Sequence, residues 1–230
     1  MQSDAEAETK DVGVLDRLKQ AEELNDGLIV NLSQLELPFI PVEVRSMRGL
    51  RTLNLRGNSL TFLPTELCHC LRVLEVLNMS YNSVSYLPEN ISALIMLRQL
   101  LLGHNELVEL PDGLCKLPNL QELRLEKNRI ENLPLTIGSL TGLEALYLAH
   151  NSIKLMPPQS VHMTALTTLD LTGNPVEAMP SRMRRLDNMN ALLHSKHKRQ
   201  ALISRANNVR SSVKAAIMRD VMHPQQQNAR

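Results

Sequence analysis

Cys68, His69 and Cys70 stand side by side, and Cys115 is the third cysteine of the chain. Thiols and imidazoles are common zinc ligands, but zinc sites normally place at least two residues between their cysteines. Cys115 lies two copies further along the repeat described below, about 10 Å away at roughly 4.8 Å per stacked strand. Ordinary buried or half-buried thiols are therefore expected. An odd number of cysteines makes no disulfide framework. His104 and His150 share one column of the same repeat but are separated by the copy carrying Lys127. Two ligands of one zinc must each sit about 2 Å from it, which that column does not provide. There is no glycine-rich phosphate loop, nucleophile elbow or metalloprotease helix. The residues predict no enzyme, no metal, no cofactor and no small-molecule substrate.

The elements that hold these residues are set by an internal period. The pairs Ile40-Pro41, Leu63-Pro64, Leu87-Pro88, Leu110-Pro111, Leu133-Pro134, Met156-Pro157 and Met179-Pro180 recur at steps of 23, 24, 23, 23, 23 and 23 residues. Asn58, Asn82, Asn105, Asn128, Asn151 and Asn174 form a second ladder with the same steps. Between the ladders runs L-x-x-L-x-L-x-x-N-x-L, as in Leu120, Leu123, Leu125, Asn128 and Ile130. Leucines two apart share one face of a short strand. Such strands stack in parallel and bury a core that no single copy can close. In the following segment Ile137, Leu140 and Leu143 recur every third residue, which suits a 3-10 or irregular helix. One extra residue between Leu67 and Leu74 predicts a bulge there.

This pattern resembles the leucine-rich-repeat family over about residues 27–183, and its 23-residue Leu-Pro copies look like the intracellular class of Ras-pathway scaffolds and plant Ras-group repeat proteins. The resemblance implies an α/β solenoid of seven repeats, with a curved parallel sheet and 3-10 helices on the convex side. It also implies that the asparagine side chains bond the backbone of neighbouring turns. In this family the non-leucine strand positions face the concave surface and bind partners. Carried over, the central position of L-x-L gives Asn31, Asn54, Asn78, Leu101, Arg124, Tyr147 and Asp170. The position before the asparagine gives Gln34, Gly57, Tyr81, His104, Lys127, His150 and Gly173. Tyr81, Leu101, His104, Arg124, Lys127, Tyr147 and His150 are the expected contacts for a protein partner, since Arg and aromatic side chains are enriched at interface hot spots.

Outside the repeats the sequence changes character. Val14, Leu15, Leu18, Ala21 and Leu24 recur at helical spacing before Asn25-Asp26-Gly27. This predicts an acidic disordered start at 1–9 and a cap helix over 10–26. Residues 182–220 carry ten Lys or Arg against two Asp, whereas residues 1–37 carry nine acidic and three basic residues. The net charge of +1 is a cancellation. Leu202, Ala206, Val209, Val213 and Ile217 form an apolar helical stripe, so 184–222 reads as a basic helical extension and 223–230 as a frayed end.

That extension admits several readings: a cap on the last repeat, a helix that contacts another protein or an acidic filament such as tubulin, an RNA contact, or nuclear import. Arg184, Arg185, Lys196, Lys198 and Arg199 resemble a bipartite import signal. RNA binding lacks an aromatic ring for base stacking anywhere in 182–230. Two functions follow from the whole reading. One is a non-enzymatic scaffold that holds a protein on its concave face. The other is a structural subunit of a ciliary, cytoskeletal or ribonucleoprotein assembly, anchored by the basic helix. Binding to RNA and to microtubules with and without 182–230 separates them. No apolar run approaches the roughly 20 residues of a membrane span, and no secretory or transit signal opens the chain. A cytoplasmic location is expected, with ciliary, cytoskeletal or nuclear placement as variants.

Overall fold

The computed structural model describes residues 13–21 and 28–183 of the 230-residue chain. The expectations for 1–9, for the ends of the 10–26 helix, for 184–222 and for 223–230 lie outside the described residues.

Seven three-residue strands form one parallel sheet in strict sequence order: β1 (Ile29–Asn31), β2 (Thr52–Asn54), β3 (Val76–Asn78), β4 (Gln99–Leu101), β5 (Glu122–Arg124), β6 (Ala145–Tyr147) and β7 (Thr168–Asp170). Each strand buries its middle residue, Val30, Leu53, Leu77, Leu100, Leu123, Leu146 or Leu169, and turns its two neighbours outward. The register pairs these middle residues directly, so the repeat spacing of the sequence becomes an aligned column of apolar side chains. Such a sheet has one face to bury and one to leave in water.

The return segments are short 3-10 helices at Val42–Ser46, Glu89–Ala93, Leu114–Lys116, Leu135–Ser139 and Pro158–His162. The segment that carries the extra residue is the exception. There the chain forms an α-helical turn, α2 (Thr65–Cys70), whose Leu71 N–H reaches back to the Leu67 carbonyl. One added residue lengthens the turn from three to four residues per hydrogen-bonded loop, so the expected bulge is absorbed as helix. At Gly138 two return segments approach so closely that an added Cβ would lie 2.1 Å from the Gln159 carbonyl oxygen.

The asparagines join each repeat to the one before. Asn128 Nδ2 donates to the Leu102 and Leu125 carbonyls, both at 3.0 Å, while its Oδ1 accepts the Leu107 N–H at 3.0 Å. Asn82, Asn105, Asn151 and Asn174 repeat this set. In the first repeat, where Leu35 stands in place of asparagine, Asn58 Oδ1 accepts both the Leu35 and Leu37 N–H groups. Buried peptide groups are thereby paired by side chains where no strand continues.

Helix α1 occupies residues 13–21. It buries Val14, Leu18 and Ala21, which share one helical face, and leaves Leu15 exposed. Leu15 was expected in the apolar stripe; one residue on from Val14 it sits about 100° around the helix and faces water. Arg17 donates to the backbone carbonyls of Asn31 and Ser33 in the first repeat.

Candidate protein-interaction face

The outward residues of the strands divide into two halves. In the first three strands the outward residue between the two leucine positions of L-x-L, the last of each strand, is Asn31, Asn54 and Asn78. Each turns its Oδ1 back to accept the N–H two residues on, from Ser33, Arg56 and Ser80. These asparagines end their strands with side-chain turns. Asp170 does the same for Thr172 at the far edge.

Between them the column reads Leu101, Arg124, Tyr147, and the register places these three side by side. The Arg124 guanidinium lies over the Tyr147 ring, with Cζ 4.4 Å from the centroid. Its Nε donates to Glu122 Oε1 at 2.6 Å, in the neighbouring outward position of the same strand. The hydrogen bond to Glu122 raises the guanidinium pKa further, so the cation is held in place by a carboxylate and a ring.

The adjacent column is built on strained backbone. Gln34, Tyr81, His104, Lys127 and His150 all have φ between 53° and 58°, and Gly57 and Gly173 occupy the same position at 69° and 75°. The left-handed region suits glycine; a side-chain-bearing residue held there costs about 1–3 kcal/mol. The turn requires this backbone in every repeat, yet four consecutive copies carry Tyr, His, Lys and His. The Tyr81 ring stacks on His104 with centroids 3.9 Å apart and planes 15° apart, and Arg56 lies 4.1 Å from the Tyr81 centroid. The His150 ring covers Gly173, where an added Cβ would lie 2.5 Å from Nδ1. Burial against its neighbours lowers the His104 pKa, and the charge of Lys127 lowers it further, so the imidazole stays neutral at physiological pH.

Glu126 sits beside these residues. An added Cβ at Gly103 would meet its Oε1 at 2.3 Å, and its Oε2 is a buried oxygen without a hydrogen-bond partner among the described residues. Arg56, Glu122 and Glu126 were not singled out from the sequence. They are outward residues one column away from those that were, and reading every outward position would have found them.

The seven expected contacts thus fall on one face of the sheet, in two neighbouring columns, with Leu101, Arg124 and Tyr147 contiguous and Tyr81 joined to His104. The tail residues Arg184, Arg185, Lys196, Lys198 and Arg199 lie outside the described residues. Cys68 and Cys115 are buried and Cys70 half-buried, all three as free thiols. Burial pushes the Cys68 thiol up to about 12 and raises that of Cys115 as well. His69 meets Asn90 rather than a metal-ligand set. Among the described residues no three His, Cys, Asp or Glu side chains converge on a common point, and no helix is long and apolar enough to cross a membrane.

The family profile described as leucine rich repeat matches residues 48–107 and 118–176, more than half of the chain. No curated protein sequence matches significantly. Among solved structures, the leucine-rich-repeat domain of the type III effector XopL is similar at 27% identity and a TM-score of 0.68, over 76% of this chain and 62% of that one. A leucine-rich-repeat protein of Leptospira interrogans is similar at 27% identity and a TM-score of 0.54, over 69% and 46%. The plant peptide hormone receptor RGFR1, solved in complex with RGF2, is similar at 28% identity and a TM-score of 0.57, over 65% and 25%. This chain spans less than two thirds of the length of each of these structures.

Proposed function

Because the chain belongs to the leucine-rich-repeat family, whose fold is a common protein-interaction module, we propose that it is a non-enzymatic scaffold holding a protein partner on the concave face of its sheet. The observation that carries this reading is the pair of Arg–aromatic stacks on that face, Arg124 with Tyr147 and Arg56 with Tyr81 and His104. Rings and guanidinium groups fixed in advance lose little freedom when a partner lands on them, so contact there gives more net affinity per residue. The strained column supports it too. Lys127 occupies a left-handed position with an exposed side chain, where glycine would relieve the backbone. A solved structure of similar fold, the plant peptide hormone receptor RGFR1, is described in complex with RGF2, which is in keeping with a binding role for this chain. A cytoplasmic setting belongs to the same proposal and rests on the sequence alone.

The experiment is affinity purification with the full chain and with R124A/Y147A. The reading expects a partner that the unaltered chain captures and the double variant loses, with thermal melting retained. Equal capture by both proteins would remove the site from this face.

A further inference from the structure

None of the five aromatic rings of this protein lies in its core. Tyr81 and Tyr147 are on the strand face. Phe39, Phe62 and Tyr86 form a separate row two residues before the prolines Pro41, Pro64 and Pro88. They are 69%, 40% and 53% exposed. The register is direct for the last two: Phe62 and Tyr86 make a parallel bridge, and their rings stack with centroids 6.2 Å apart and planes at 3°. Val42 and Val108, both more than half exposed, extend the apolar surface along the same flank.

The fold does not require rings there. The same position in the next two copies is Glu109 and Asn132, both exposed. Residues suited to water therefore satisfy the repeat, and apolar rings left in water across three neighbouring copies mark a contact surface. The segments that carry it are acidic. The flank segments 36–43, 59–66, 83–90 and 106–113 together hold seven acidic residues and no Lys or Arg, and of these Glu106 pairs with Arg129 of the next copy. Glu43, Glu66, Glu109 and Asp112 among them are exposed.

We propose that this aromatic, acid-rimmed flank of the first four repeats is a second docking surface, whose ligand is a cationic segment of a different protein, with apolar side chains along one face. The rings would cover the apolar side chains while the carboxylates at the rim meet Lys or Arg, steering encounter and rejecting acidic segments. The surface is separate from the strand face, so it stands or falls independently of the concave-face reading.

Two labelled peptides test it with the full chain: one of leucine and lysine patterned as an amphipathic helix, the other with glutamate in place of lysine. The proposal expects saturable binding of the lysine peptide alone. F62S/Y86S should weaken it about tenfold or more, and E66Q/E109Q about threefold at low salt. R124A/Y147A should leave it unchanged. E66Q/E109Q keeps the rings and reports on the rim even if the aromatic variant melts early. Unaltered binding by F62S/Y86S, equal binding of the glutamate peptide, or no saturable binding would each overturn the proposal. Sedimentation showing self-association of the chain that F62S/Y86S abolishes would also overturn it, assigning the rings to a second copy.

Discussion

Arg124 and Tyr147 are neighbours only because β5 and β6 pair in register, which brings the guanidinium to 4.4 Å from the ring centroid across a full repeat of sequence. Glu122 holds the other side of the cation. An exposed contact of this kind contributes about 0.5–1 kcal/mol, so neither residue is needed to keep the repeats folded. Y147A should lower the melting temperature by no more than about 4 °C. A much larger loss in calorimetry would show that the stack is structural.

The strained column makes a prediction of opposite sign for stability and binding. Lys127 has φ of 53° and is exposed. K127G should relieve the left-handed backbone and leave the protein as stable or up to about 1 kcal/mol more stable. If Lys127 serves a partner, the same variant should capture it less well. Chemical denaturation beside partner capture reads both. Loss of stability in K127G would show that this turn is not strained.

The two asparagine columns should separate cleanly. N128A removes three hydrogen bonds within the solenoid and leaves the Leu107 N–H unpaired, while the Leu102 and Leu125 carbonyls keep their bonds from Asn105 and Asn151, for a loss of about 1–3 kcal/mol. N54A removes one exposed turn bond to Arg56 and should cost about 0.5–1 kcal/mol. Urea unfolding of both variants checks the ranking, and equal losses would contradict it.

His104 should titrate below the ordinary histidine value of 6.5, because burial disfavours its charged form and Lys127 repels it. The stabilisation linked to this shift is present above the unfolded value and is lost as pH falls through the folded one. K127Q should move the titration upward. Proton resonances of the imidazole followed against pH measure both, and a value at or above 6.5 in the unaltered protein would remove the argument.

Much of this arrangement was legible in the sequence. The prolines and asparagines alone gave the period, and leucines two apart gave strands whose outward columns could be named. The contents of those columns were less legible. Asn31, Asn54 and Asn78 look equivalent to Leu101 and Arg124 in spacing, yet their Oδ1 atoms are taken up by backbone turns. The stack of Arg56 on Tyr81 joins residues in different columns of adjacent copies, which a column-by-column reading separates. The left-handed turn had one visible sign, the glycines at 57 and 173, in a column otherwise filled by larger side chains. Phe62 and Tyr86 were absorbed into the Leu-Pro punctuation, because a repeat pattern records what is buried and passes over what is left outside.

The most direct test of the central claim is photo-crosslinking of the captured partner from single positions of the full chain. A photoreactive residue is placed at Leu101 or Lys127 on the strand face, and at Leu135 on the return segments, which is 64% exposed. The account predicts adducts from positions 101 and 127 and none from 135. Adducts from 135 alone would contradict it.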